Sequence, residues 1–382
     1  MHATAIYLHI PFCIARCSYC TFNSYAGLGH LHAAYVGALQ TEIESSAGGA
    51  EGERVASVYT GGGTPTVLTT ELLQRVLRTC GEHYRVLPEA EVTVEANPGT
   101  VDASYLRRLR ALGVTRLSLG VQSFQDRMLS ILARVHTSRQ AREAFLMARS
   151  AGFTSVNLDL IYGLPGQSLS QWLDDLYQAL DLGPEHLSLY GLSLEEGTSL
   201  ANSVSAGELP PPDPDLAATM YEEAEEIMET AGYVHYEISN WALSGHECQH
   251  NLNYWLNRPY LGFGAGAHSF DGKRRRWNVL GPEEYVRRLE RGENPAAGQE
   301  TIDPAMERSE TMILGLRLCR GVSSEEFERR FGLSLLEAFA DQIGDLVRLG
   351  LLEVDDGGVR LTPRGRLLGN EVFERFLAEA VA

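Results

Sequence analysis

Cys13, Cys17 and Cys20 are the residues of this chain whose type and spacing most plainly carry chemistry. The chain has six cysteines, and three crowd into this stretch while Cys80, Cys248 and Cys319 lie scattered. Six in this length are too few for a disulfide scaffold, so a close trio of thiols reads as metal or cluster ligation and the scattered ones as burial. The short Cys-x3-Cys-x2-Cys loops can set each sulfur at a different corner of an iron–sulfur cube. A [4Fe–4S] cluster usually takes four thiolates, so three leave one iron open for chemistry. Read alone, the trio also fits a zinc knuckle whose fourth ligand is Cys248 or a histidine.

A second group of residues sits where strand-like runs end: Gly61–Thr64, Glu95, Gln122 and, late in its run, Asp159. Strand ends in parallel α/β units share one face, so these groups should converge on one pocket with the cysteine loop. Glycines let backbone amides approach a ligand without Cβ clashes. Glu95 or Asp159 suits a ribose hydroxyl or an ammonium group, and Arg134 offers a fork for a carboxylate. Each alone is equally a satisfied strand-end residue; jointly they describe a ligand site. Further on, His250-Asn251-Leu252-Asn253-Tyr254-Trp255 puts an imidazole beside two flat aromatic rings. That set can face a haem, with His250 as iron ligand, or can cap a turn and pack in a core. Cys248 is a weaker candidate thiolate, and His9, His136 and His268 have no ligand-like spacing.

These residues need elements to position them. Strand-like runs cover Ala5–Ile10, Val55–Thr60, Glu91–Ala96, Arg116–Val121, Val156–Ile161, His186–Leu192 and Val234–Ile238. Between them lie helix-period segments such as Leu31, Tyr35, Leu39 and Ile43. Asp102 with Gly113, and Ser168 with Gly183, bracket two helices with start and stop signals. The alternation predicts parallel strands with crossover helices, in a partial barrel or an open wound sheet. The proline-rich stretch Asn202–Asp215 and the stretch Glu290–Pro304 read as connectors. Lys273–Arg276, the one dense basic run, reads as a solvated turn, and Cys80 and Cys319 as core residues of helices. Ser45–Glu53, with three glycines, reads as a flexible surface loop. From Arg308 the pattern is helix, helix, helix, hairpin, helix, with a capping box at Ser323 and Glu326 and stops at Gly332 and Gly350. This tail resembles a winged-helix module, yet carries 10 basic against 13 acidic residues, net −3, which favours a lid or docking role over DNA reading. The expected division is 1–240, 241–303 and 304–382.

With 382 residues, 44% hydrophobic and 21% charged, the composition excludes a disordered or fibrous chain. Its 32 basic against 50 acidic residues, net −18, argue against binding nucleic acid. No apolar run approaches the roughly 20 residues that span a bilayer, and the N-terminus lacks a secretion signal, so a cytoplasmic protein is expected.

Tyr7-Leu8-His9-Ile10-Pro11-Phe12-Cys13 through Cys20, followed by Gly61-Gly62-Gly63-Thr64-Pro65, resembles the radical S-adenosylmethionine (SAM) superfamily. The resemblance implies a partial (β/α)6, TIM-like barrel, with [4Fe–4S] held by Cys13, Cys17 and Cys20 and its open iron chelated by SAM. In that family one electron from the cluster cleaves SAM to methionine and a 5′-deoxyadenosyl radical. Gly120–Phe124 and Asn157–Pro165 narrow the likeness to the coproporphyrinogen-dehydrogenase-like branch. It implies that Tyr7, Gly62, Glu95, Gln122, Arg134 and Asp159 contact SAM, with Tyr19, Gly63 and Thr64 making contacts that belong in some members to a second SAM. The oxygen-independent coproporphyrinogen III oxidases of that branch carry a longer N-terminal extension and a further cysteine two positions after the Cys20 equivalent. Here six residues precede Tyr7 and Phe22 holds that position. His250–Trp255 fits HNxxYW, associated with the branch's haem chaperones (HemW-type), and Tyr260–Ser269 is similar to theirs. The implied function is to carry haem as cargo, at His250, Tyr254 and Trp255, and deliver it to haemoproteins such as respiratory cytochromes. An electron donor such as flavodoxin or ferredoxin is implied too, with contact to a membrane surface through partners and room for a homodimer. The alternatives are coproporphyrinogen III oxidation, or another radical SAM reaction such as methyl transfer or cyclopropanation.

Overall fold

The computed structural model describes residues 3–47 and 53–377. Strand β1 (Thr4–Ile10) runs into a loop holding the short parallel pair β2 (Phe12–Cys13) and β3 (Tyr25–Ala26). There follow α1 (His32–Ser46), β4 (Arg54–Gly62), α2 (Thr70–His83), β5 (Arg85–Ala96), α3 (Ala103–Ala111) and β6 (Arg116–Gln122). Next come α4 (Asp126–Ile131), α5 (Ser138–Ser150), β7 (Val156–Tyr162), α6 (Leu169–Leu182) and β8 (His186–Gly191). Strands β1, β4, β5, β6, β7 and β8 are neighbours in that order and all parallel. Because β1 and β8 do not pair, the wall stays open: this is a partial (β/α)6 barrel.

The sequence explains the units. β6 is buried at every position, as a strand covered on both faces must be. Tyr35, Leu39 and Ile43 form the buried face of α1, so the four-residue spacing is a core stripe. Asp102 caps α3 by accepting from the Tyr105 amide at 2.8 Å, and α6 opens on a reciprocal Ser168–Gln171 box and stops at left-handed Gly183.

Beyond the sixth unit the chain departs from simple alternation. After α7 (Ser199–Ser205) and α8 (Pro214–Thr230), β9 (Val234–Glu237) is not a seventh parallel strand. It pairs antiparallel with β10 (Asn240–Ala242), which lies antiparallel on β8. Only Ile238 and Ser239 separate β9 from β10, too short a link for a parallel crossover. Past α9 (Gln249–Trp255), β11 (Tyr260–Phe263) lies parallel on the free side of β1. Strands β12 (His268–Phe270) and β13 (Arg274–Asn278), then α10 (Pro282–Glu290) and β14 (Ala296–Thr301), complete a twelve-stranded sheet.

Several expected loops are therefore elements. The stretch Glu290–Pro304 contains β14, paired with β13. Of the basic run, Lys273 lies in a turn, as expected, while Arg274–Arg276 begin β13, where Arg275 forks onto Glu310 at 2.8 and 2.9 Å. Of Asn202–Asp215, only residues 206–213 lie outside helices, because Pro214 takes the first turn of α8, where its missing N–H costs nothing. Ser45 and Ser46 finish α1, and residues 48–52 of the expected glycine loop lie outside the described residues.

The C-terminal module comprises α11 (Pro304–Gly315), β15 (Val322–Ser323), α12 (Ser324–Phe331), α13 (Leu335–Arg348), β16 (Leu352–Asp355), β17 (Gly358–Leu361), α14 (Pro363–Leu367) and α15 (Gly369–Glu374). Phe327, Phe339, Ile343, Leu346 and Phe376 build its own core, and β15, β17 and β16 form its wing. Ser323 caps α12 by accepting from the Glu326 amide, the first half only of the expected box. Cys80 is core within α2, whereas Cys319 sits half-buried in the turn after α11.

Candidate functional site

The cysteine loop is stitched down before any ligand is considered. Ser18 donates through its amide to Leu132 O (3.1 Å) and through Oγ to Ile131 O (2.8 Å), while the Leu200 amide donates to Ser18 O (2.9 Å). Tyr19 packs on Met128, Leu132, Ile161, Leu164 and Leu200. The three thiols stay half-buried and free. Thr64 Oγ1 donates to Cys13 Sγ at 3.6 Å and an Arg134 guanidinium nitrogen to Cys17 Sγ at 3.2 Å. Among the described residues no three His, Cys, Asp or Glu side chains gather around one metal position. All three cysteines line the mouth of one space.

That mouth opens on a cavity of about 420 Å³. It is lined by Cys13, Cys17, Tyr19, Cys20, Gly62, Gly63, Thr64, Glu95, Gln122, Arg134 and Asp159, so all but one of the residues that the family resemblance assigns to cluster and SAM converge there, whereas Gly61 of the strand-end group does not line it. The exception is Tyr7. Its hydroxyl meets His9 Nδ1 at 3.0 Å, and it lines a neighbouring cavity instead. Asp159 sits mid-strand in β7, deeper than a strand end.

The electrostatics follow from burial. Glu95 accepts from Tyr59 OH at 2.7 Å and from the Gly62 amide at 3.2 Å, yet burial pushes its carboxyl up to about 7. Burial also raises Asp159, against the hydrogen bond from Asn157 at 2.8 Å. Arg134 bonds Asn97 and Gly120 O, while its Nε is buried without a partner, as is Gln122 Oε1. Gln122 closes β6 at φ +70, an unusual backbone state for a non-glycine residue, which turns this side chain into the cavity. Three free thiols and two orphaned polar atoms around one space fit a cluster and a polar, charged nucleotide ligand.

The glycines act differently from expectation. A Cβ on Gly62 (φ +110) would lie 2.5 Å from the His9 ring, and one on Gly63 2.6 Å from Phe12 O. The Gly62 amide is spent on Glu95 and the Gly63 amide on Ile10 O. The strand end crowds the protein itself, so glycine is required by β1 and its loop rather than by free amides aimed at a ligand.

The second cavity, about 320 Å³, shares Tyr59, Glu95 and Tyr190 with the first and is further lined by Tyr7, His250, Asn251, Tyr254, Trp255, Glu237 and Arg317. The residues expected to face haem are thus together. His250, however, is 1% exposed, with Nδ1 on Ser57 Oγ and Nε2 on Tyr254 OH, both at 3.0 Å. Burial lowers its pKa to about 3, so the ring is neutral, and iron ligation would require one of those bonds to break. Cys248 is buried with its Sγ 3.5 Å from Glu91, and burial pushes its thiol up to about 12. Sequence reading missed Tyr59, Asn97, Tyr190, Glu237 and Arg317. For Tyr59 the alternation of β4 could have shown it, two residues before Gly61 on the same face; for Arg317 nothing local does.

Residues 7–177 match the family model "Radical SAM superfamily" and residues 302–368 match "HemN C-terminal domain". The chain is 40% identical over 375 residues to a heme chaperone HemW of Mycobacterium tuberculosis, covering 97% of this chain and 94% of that protein. It is 38% identical over 374 residues to the HemW of Bacillus subtilis, covering 98% and 99%. Among solved structures it resembles the radical SAM enzyme coproporphyrinogen III oxidase (HemN) of Escherichia coli, with TM-score 0.86 and 25% identity, covering 98% of this chain and 90% of that one.

Proposed function

We propose, from the premise that this chain belongs to the radical SAM superfamily and to its HemW group, that it binds haem and delivers it to haemoproteins. The observation that carries the reading is the agreement with heme chaperones along almost the whole chain, module included. The radical SAM domain implies a [4Fe–4S] cluster and SAM, a pair that supplies one-electron cleavage of the sulfonium when bound. In this reading Cys13, Cys17 and Cys20 hold the cluster. Arg134, free at Nε, pairs with the ligand's carboxylate, Gln122 Oε1 accepts from its amino group, and Glu95 or Asp159 takes ribose hydroxyls. Tyr19 and Thr64 close the cysteine side. Tyr7 supports this site from behind, through the wall it shares with the second cavity.

Haem lies against His250, Tyr254 and Trp255. Recipient haemoproteins, respiratory cytochromes among them, and a flavodoxin- or ferredoxin-like donor are the partners this reading calls for. One experiment tests it. The anaerobically reconstituted protein is titrated with haem, then offered an apo-haemoprotein; in parallel it is incubated with coproporphyrinogen III, SAM and reductant. Haem uptake with a Soret shift, followed by transfer, is expected, with no vinyl porphyrin formed. Vinyl porphyrin would replace the reading with oxidative decarboxylation, and failure to bind haem would end it.

A further inference from the structure

The turn after α11 carries a guanidinium from the C-terminal module into the wall of the second cavity. Leu318 bridges to Glu237, the Ile238 amide donates to Arg317 O at 3.0 Å, and the Cys319 amide donates to Tyr236 O at 3.1 Å. The turn thus extends β9 like a short added strand, and Arg317 is anchored by backbone on both sides. Its guanidinium carbon lies 4.3 Å from the centroid of the Trp255 ring, and one terminal nitrogen meets Glu237 at 3.3 Å. Glu237 is itself fully buried and also accepts from the Ser239 amide at 3.1 Å and from Asn240 Nδ2.

This arrangement leaves donors over. Arg317 has five N–H groups and its bond to Glu237 uses one. Arg317 Nε is buried with no partner, and so is the indole Nε1 of Trp255. Unanswered buried donors are rare in proteins and mark places where a ligand or water supplies the acceptor. Here two of them belong to side chains that are in van der Waals contact and that line one cavity. That cavity, about 320 Å³, lies at the low end of small-molecule sites, so it admits the edge of a macrocycle and not its whole body. His250 has no free nitrogen to offer the iron from within.

We propose that the second cavity is a carboxylate subsite in which Arg317 and the Trp255 indole bind a propionate-type carboxylate of a planar ligand. Glu237 keeps the guanidinium in register and competes with the ligand for it. The proposal rests on the haem reading above and adds to it which part of haem is recognised and by which residue. It also gives the C-terminal module a direct place in the site.

The test compares haem with haem dimethyl ester, whose carboxylates are blocked, by Soret titration of the full-length, cluster-reconstituted protein. The unmodified protein is expected to bind haem about tenfold tighter than the diester, the size expected for a charge-assisted contact. Arg317→Met should weaken haem binding more than diester binding, so that the preference for haem falls several-fold. Glu237→Gln should widen the preference for haem, because it removes the internal competitor. Preference retained in Arg317→Met, or equal binding of the two ligands by the unmodified protein, overturns the subsite and leaves the haem reading standing. If the unmodified protein binds neither ligand, the haem reading fails and the subsite falls with it. Should Arg317→Met not fold, Glu237→Gln decides: a widened preference supports the subsite, an unchanged or narrowed one overturns it.

Discussion

At the scale of single residues the site is a set of groups kept reactive by incomplete satisfaction. The three loop thiols touch one hydroxyl and one guanidinium and otherwise face the cavity. Replacing any one of Cys13, Cys17 or Cys20 by Ala should bring bound iron and inorganic sulfide to background after anaerobic reconstitution. Cys80→Ala and Cys248→Ala, both at buried thiols, should retain them; equal loss in all five would sink the ligand assignment. Glu95 makes a second, pH-dependent case. Burial raises its carboxyl from an ordinary 4.5 to about 7, so the folded chain keeps a proton that the unfolded chain releases. The stability tied to the neutral form is then present below about 4.5 and lost as the pH climbs to about 7. In the folded chain the anion appears as the pH passes about 7, so affinity for SAM should rise there. Isothermal titration from pH 6 to 8.5 should show that rise, and Glu95→Gln should flatten it.

At the scale of elements, what could be read in the chain was what repeats locally. The six parallel strands, the caps of α3 and α6 and the wing hairpin each follow from spacing within a dozen residues. β14 was hidden because its sequence AAGQET alternates little and belongs to a strand only through its partner β13. The reversal at β9–β10 likewise depends on a two-residue link whose consequence appears only in three dimensions. In the site, Glu95, Gln122 and Asp159 could be read as inward-facing strand residues, but the geometry of Gln122 could not. Its φ is +70, and the two residues after it are held by Asp175 of α6, fully buried, which accepts from Ser123 Oγ at 2.6 Å and from the Phe124 amide at 2.8 Å. Asp175→Ala leaves two buried donors unmet, a cost of about 1–3 kcal/mol for each. The thermal midpoint should fall and SAM affinity should drop several-fold as Gln122 loses its turn. Asp175→Asn, which keeps one acceptor, should recover part of both. Unchanged SAM affinity in a folded Asp175→Ala protein would show that Gln122 does not depend on this helix.

At the scale of the whole molecule, two cores must be joined so that one cavity has walls from both. Arg317 belongs to the module and Trp255 to the barrel side, so the cavity keeps its guanidinium only while the two are seated together. Besides the strand-like turn at Leu318, the Arg275–Glu310 fork and the bond from Arg330 to Asn257 O, that seat includes Arg366 of α14, which meets Glu225 of α8 at 2.8 Å. His235 of β9 approaches the same carboxylate at 3.1 Å and stacks on Trp241. Burial alone would raise Glu225, but the bonds from His235 and Arg366 outweigh it and hold the carboxyl below its ordinary value. Both side chains are four-fifths buried, at 16% and 20% exposure, so this pair is screened less than a surface bridge. A double-mutant cycle of Arg366→Met and Glu225→Gln should give a coupling of about 0.5–3 kcal/mol by thermal or denaturant unfolding. Since the folded pKa is depressed, that coupling should hold at neutral pH and vanish as the pH falls below the ordinary carboxylate range. The same Arg366→Met protein should bind haem more weakly although it alters no residue of the cavity, because a loosened module withdraws Arg317 from the wall. Additive single substitutions would show that the ion pair does not seat the module. Full haem affinity in a demonstrably loosened module would show that the barrel alone forms the binding surface.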